Sequence, residues 1–339
     1  MGFESDPRAE AFDLEGLAEP LIFGLERQVL PEPVLADADV RFAAGAWLVA
    51  RGARTLRLES PDGRSVHEGP VDAAVLSDPV AELSPARLVS LAPSNAEMID
   101  ALGCFERVVA AETSSDYPPA VAVVERLGPD LDPNLDRVVE LGPDLVVASL
   151  TVPGMERVVT GLRARGLRQA ILAPRRLVEV MEGAEFLARH LHVPDAGRKV
   201  RSDMRAEIER LKAELPQTPR RVYLEWWPRP MFTPGIDCYS NELVALAGGV
   251  NVFGQRPGSS LEIGPEELVA ADPDVCFVSW CGVAESKLDP GNLMGRAGLE
   301  GLRAAQAGRV YPLDETFSGR PGPRMLEASR RMAVHLRGQ

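Results

Sequence analysis

Side chains able to do chemistry are few and scattered in this chain. Its four cysteines are Cys104, Cys238, Cys276 and Cys281, and its four histidines are His67, His190, His192 and His335. No two cysteines form a CxxC pair, so the pattern reads as small buried hydrophobes rather than a disulfide framework. His190 and His192 fall on one predicted helix and face different sides of it. A transition-metal centre is not expected, since metal ligands must converge. No GxGxxG follows a strand, and neither GxxxxGK[ST] nor a GxSxG elbow occurs. Phosphate-cradling and nucleophile-elbow chemistries therefore lack their scaffolds. The chain reads as a non-enzyme without a catalytic cofactor.

The elements that would position any site follow from hydrophobic periodicity. From Arg87 onwards short apolar runs alternate with helical stretches. Strands are expected at 88–91, 108–111, 145–149 and 169–172, with helices at 94–102, 135–141 and 155–165. Ser94-Asn95-Ala96-Glu97 reads as a capping box opening the first of these helices. Residues 176–215 read as helical with a break at Pro194. Val200, Met204, Ile208, Leu211 and Leu215 form one apolar stripe there. Alternation restarts with strands at 222–226, 275–280 and 310–312 and helices at 241–247, 265–271 and 323–336. Such alternation predicts parallel sheets covered by helices.

The two alternating regions echo one another. Ser94-Asn95 leads to Gly103 as Ser240-Asn241 leads to Gly249. Asp136 begins a helix running into Gly142-Pro143-Asp144, and Glu266 begins one running into Asp272-Pro273-Asp274. The fold class is therefore α/β: two Rossmann-like lobes, 85–175 and 219–339, joined by a helical bridge over 176–218. Segments just past the strands, Thr113–Pro119, Trp226–Gly235 and Trp280–Ala284 among them, are rich in aromatics, prolines and glycines. Ligands of open parallel sheets gather at such carboxyl ends.

Residues 1–84 read as a small β-containing appendage of unassigned role. Strand-like runs stand at 40–50, 54–59, 65–68 and 71–76, with helical character at 12–25; Pro61-Asp62-Gly63 is a turn signal. The formal charge of the 339 residues is −13. Residues 1–85 carry sixteen acids against seven arginines, so most of that charge sits at the front. An acidic surface argues against a nucleic-acid partner. The first residues show no basic region followed by an apolar run, so the chain as written reads as cytoplasmic; a removed leader would make it periplasmic or cell-surface.

The ordered motifs resemble one family. Arg87-Leu88-Val89-Ser90-Leu91-Ala92-Pro93-Ser94-Asn95, Asp116-Tyr117-Pro118-Pro119, Asn134-Leu135-Asp136, Ser240-Asn241, Pro265-Glu266-Glu267 and Arg320-Pro321-Gly322-Pro323-Arg324 resemble the periplasmic cobalamin-binding proteins. These belong to the helical-backbone receptors (class III solute-binding proteins) that also bind siderophores and haem. The resemblance spans residues 86–337. It implies a monomer with a long backbone helix holding two lobes and a ligand in the cleft between them.

It further implies that Tyr117 on one side, and Trp226 with Phe232 on the other, lie against a corrinoid such as cobalamin or cobinamide. Ser94, Trp227 and Trp280 are further candidates for contact. Arg320 matches an arginine used at the cleft edge, where a forked guanidinium suits amides or phosphate. Asp136 and Glu266 match acids that dock such proteins onto membrane subunits of an ABC transporter. Either acid also suits a helix first turn through the macrodipole. The chain departs from the pattern at Thr316, where an aspartate is expected, and at Asp130, Ser149 and Ser260, where tryptophans are expected. Haem or an iron chelate is therefore the alternative ligand. Two other classes remain as rivals: a two-lobed enzyme such as a chelatase, and a ligand-sensing interaction protein.

Overall fold

The computed structural model describes residues 39–43, 46–50, 56–59, 65–69 and 84–337. The expected helix at 12–25 and strand at 71–76 lie outside these residues. The chain divides into two compact units. One takes the described residues up to Pro174 together with Val178–Ser202; the other takes Arg175–Leu177 and everything from Asp203.

The first unit is built on a seven-stranded sheet. Its parallel part comprises β5 (Leu88–Ser90), β6 (Val108–Ala111), β7 (Glu125–Arg126), β8 (Leu145–Ser149) and β9 (Gln169–Leu172). Their order is β9-β8-β5-β6-β7. Every residue of β8 and β9 is buried, as expected of strands covered on both faces. Helices α1 (Pro93–Ala101), α2 (Leu135–Leu141) and α3 (Met155–Ala164) follow β5, β7 and β8 in the chain. Val138, Val159 and Leu162 from these helices pack with Val89, Val146 and Ile171 of the sheet.

The run expected as one strand at 40–50 forms two, β1 (Asp39–Ala43) and β2 (Ala46–Ala50), paired antiparallel. β2 pairs antiparallel with β9, extending the sheet beyond its parallel strands. β3 (Leu56–Glu59) and β4 (Ser65–Gly69) pair as the turn signal between them predicts. The expected capping box does not form. Pro93 occupies the first turn of α1, so the cap falls on Ala92 and Ser94 already lies inside the helix.

Two helices follow β9: α4 (Leu177–His190) and α5 (Pro194–Ala213). Pro194, read as a break, opens α5, where its missing N–H costs nothing. The stripe Val200, Met204, Ile208 and Leu211 is buried. A Cβ on Gly197 would stand 2.6 Å from the Ala188 Cβ, so α4 and α5 approach too closely there for any side chain. The boundary between the units falls within α5, after Ser202.

The second unit holds a parallel sheet of β10 (Arg220–Glu225), β13 (Gly249–Asn251), β15 (Val275–Val278) and β16 (Val310–Pro312), ordered β13-β10-β15-β16. A separate antiparallel ribbon joins β11 (Trp227–Pro228), β12 (Met231–Pro234) and β14 (Ser260–Ile263). The helices are α6 (Ser240–Ala247), α7 (Pro265–Ala271), α8 (Gly291–Met294), α9 (Arg303–Gln306), α10 (Glu315–Ser318) and α11 (Leu326–Arg337).

Candidate ligand-binding site

In the first unit the segment after β6 is fixed by a buried carboxylate. Glu112 is fully buried and accepts from the Ser114 and Ser115 N–H groups and from the Ser115 hydroxyl. Burial lifts its pKa above the usual carboxylate range, a shift these bonds only partly offset. Arg126 on β7 donates to the Glu112 and Ser115 carbonyls, each at 2.9 Å. The turn so clamped delivers Tyr117, which is half-buried. Ser94 lies in the first turn of α1, 7% exposed. Ser149, where the resemblance expects a tryptophan, ends β8 and bonds the Thr151 hydroxyl at 2.8 Å.

The second unit gathers its aromatics around the end of β10. Trp226 is half-buried; its N–H donates to the Phe232 carbonyl at 2.8 Å and its carbonyl accepts from Cys281 N at 3.2 Å. Its indole Nε1 is buried and has no hydrogen-bond partner among the described residues. Trp227 and Phe232 stand opposite one another across the β11–β12 pair. Phe232 is half-buried, whereas Trp227 is 42% exposed with its indole on the Arg229 carbonyl. Trp280 lies in the core of this unit, 7% exposed, and its indole donates to Glu225 at 3.0 Å.

Glu225 itself is fully buried. Arg296 grips both its oxygens, at 2.6 and 2.9 Å, and the Tyr223 hydroxyl donates to it at 3.1 Å. This network was not singled out in the sequence, although an acid closing the apolar run Val222-Tyr223-Leu224 is the signal that could have revealed it. Arg320 is 8% exposed and meets Glu315 at 3.4 Å. Cys238 is buried beside Ser240, and burial lifts its thiol pKa to about 11. Among the described residues no three His, Cys, Asp or Glu side chains gather as a metal site.

The two candidate docking acids lie in helix first turns, as read. Asp136 on α2 is exposed and accepts from Arg165 at 2.7 and 3.0 Å. Glu266 on α7 is exposed beside Glu267, which caps Gly264 N and pairs with Arg256.

Residues 88–316 match the periplasmic binding protein family. The chain belongs to that family. It is a solute-binding protein with the α/β fold read from its sequence. A curated relative, the vitamin B12-binding protein of Vibrio cholerae, is 27% identical over 252 residues, covering 74% of this chain and 89% of the relative. An ABC transporter substrate-binding lipoprotein of Bacillus subtilis, itself uncharacterized, is 27% identical over 273 residues, 78% and 84% of the two chains.

Among solved structures, the periplasmic vitamin B12 binding protein of Vibrio cholerae superposes with a TM-score of 0.64 at 27% identity, over 74% of this chain and 96% of that one. A periplasmic heme-binding protein from Roseiflexus sp. RS-1 gives 0.65 at 26%, over 74% and 97%. These relatives correct the expectation of a cytoplasmic protein. Periplasmic proteins and a substrate-binding lipoprotein point to a periplasmic or extracellular location.

Proposed function

We propose that this protein captures a corrinoid, cobalamin or a trimmed relative such as cobinamide, without catalysing any reaction on it. Trp226, Phe232 and Trp227 would bear on the ligand, with Arg320 towards its polar groups. The observation that carries this reading is the aromatic platform at the end of β10. Trp226 and Phe232 are half-buried and tied together through Trp226 N–H, so flat apolar surface is held ready. Pre-ordered aromatics lose little entropy on meeting a flat macrocycle. The vitamin B12-binding relatives support the same ligand class.

Haem or an iron chelate is the second reading, favoured by the similarity to the Roseiflexus heme-binding protein. Delivery would be to the membrane subunits of an ABC transporter, with Asp136 and Glu266 as docking acids. Their exposure in equivalent first turns of the two units supports that role.

Titration calorimetry and visible spectra with cyanocobalamin, dicyanocobinamide and haemin test the ligand. Binding tighter than about 100 μM is expected for a corrinoid, and Trp226→Ala should weaken it roughly tenfold to a hundredfold, as loss of ~1–3 kcal/mol of aromatic burial requires. Absence of binding to all three probes, or an unchanged affinity in Trp226→Ala, would sink the reading.

A further inference from the structure

The Glu225–Arg296 pair stands where the sheet does not need it. Arg87 and Arg221 occupy matching positions at the starts of β5 and β10, each with its main-chain N–H on an aspartate, Asp144 or Asp274. Four residues further on, the first unit buries Leu91 and the second buries Glu225. A leucine therefore satisfies the same place in a parallel sheet of the same order. Removing a carboxylate and a guanidinium from water costs several kcal/mol per ion, and the pair often returns no more than apolar packing would. What a forked, two-point ion pair does provide is direction.

That direction is applied next to Trp226. Glu225 takes Arg296 on both oxygens, Trp280 on one and Tyr223 on the other, so its side chain has one orientation. Its carbonyl accepts from Ser279 N at 2.8 Å, and the Leu224 carbonyl accepts from Thr233 of the ribbon at 2.8 Å. Trp226 follows at once, bonded to Phe232 on one side and Cys281 on the other. Its indole N–H is buried and meets no acceptor among the described residues. A side chain in that condition is kept in place by its surroundings and not by its own bonds.

We infer that Glu225 and Arg296 are positioning residues for the ligand platform: they fix the end of β10 so that Trp226, and through it Phe232, is held in its binding orientation. The inference deepens the proposed function and rests on it for the ligand, but its geometric half can be measured without any ligand.

The first measurement is amide hydrogen exchange on the intact protein. In Arg296→Met the Trp226 amide, bonded to Phe232, should exchange at least roughly tenfold faster, while amides of β5 and β8 in the first unit keep their protection. An unchanged Trp226 amide overturns the inference whatever the protein binds. The second is a cycle of cyanocobalamin and haemin affinities for wild type, Arg296→Met, Trp226→Ala and the double variant. Arg296→Met should weaken binding roughly tenfold in the wild-type background and less than about twofold once Trp226 is alanine. Equal losses in both backgrounds overturn the inference, as does no loss at all. If Arg296→Met does not fold, Arg296→Lys keeps the charge and loses the fork, and the same outcomes apply to it. Wild type binding neither probe counts against the proposed ligand and leaves the exchange result to decide the positioning role.

Discussion

The two parallel sheets run in the same order, β9-β8-β5-β6 in the first unit and β16-β15-β10-β13 in the second. They are also closed alike at the amino ends of their strands. Arg87 and Arg221 each reach back to carbonyls at the end of a helix, Leu141 of α2 and Ala271 of α7, while Asp144 and Asp274 take their main-chain N–H groups. Both helices end on a left-handed residue, Gly142 at φ 56° and Asp272 at φ 45°, and aspartate is among the few side chains that tolerate this conformation. At the carboxyl ends the likeness stops. There the first unit has Leu91 leading into α1, and the second has Glu225 leading into an antiparallel ribbon. The shared end is scaffold; the differing end is where a ligand of an open sheet is met.

The largest expected effect breaks this contrast at its centre. Arg296→Met leaves the Glu225 charge buried with only neutral donors and should cost about 3–5 kcal/mol. Adding Glu225→Leu, which gives the second unit the residue type of the first, should recover a good part of that loss. Urea unfolding reads both. A double variant no more stable than Arg296→Met would mean that the carboxylate's bonds to Trp280 and Tyr223 matter more than the ion pair.

The shared latches should differ in strength by their bond count. Asp144 accepts from both Ala86 N and Arg87 N, at 2.8 and 2.9 Å, whereas among the described residues Asp274 accepts from Arg221 N, at 2.9 Å. Asp144→Ala should therefore destabilise by about 2 kcal/mol and Asp274→Ala by about 1 kcal/mol. Equal losses would contradict a latch whose strength lies in those N–H groups.

A third difference lies at the sheet edges. β9 carries the β2–β1 hairpin, while β16 has no such addition among the described residues. A chain beginning at Ser84 turns β9 into an edge like β16. It should keep its corrinoid affinity within about twofold and lose a few degrees of melting temperature, since about 1 kcal/mol moves a unit of this size by 2–4 °C. Insolubility of the shortened chain would show residues 1–84 to be part of the fold and not an appendage to it.

The sequence made the repeated scaffold legible because its physics is local. β8, β9 and β15 are continuous or nearly continuous apolar runs, β10 is centred on Val222-Tyr223-Leu224, and Pro194 marked the start of α5. The ribbon was hidden because Pro228, Pro230 and Pro234 suppress a strand signal and because β12 finds β14 some thirty residues away. The aromatics were visible as types but not as environments. Trp227 and Trp280 read alike, yet one is exposed and the other is core, since burial just past a strand depends on what folds over it. Glu225 and Arg296 are 71 residues apart, and no local pattern links them.

The smallest expected effect belongs to the buried carboxylate of the first unit and is read through pH. Glu225 is matched by a guanidinium, whereas among the described residues Glu112 is held by Ser114 and Ser115. Desolvation raises the Glu112 pKa, with Asp130 adding to the shift. A raised carboxyl pKa means that the folded chain binds this proton more tightly than the unfolded chain does. The resulting stabilisation is complete below the unfolded value near 4.5 and is lost as pH rises through the folded value. Glu112→Gln, which is neutral throughout, should therefore gain on wild type as pH rises, by about 1 kcal/mol or less between pH 4 and pH 8. Melting temperatures of the two proteins across that range provide the check. Curves that run parallel would show that the three donors compensate the Glu112 charge in full and that its burial carries no pH-dependent cost.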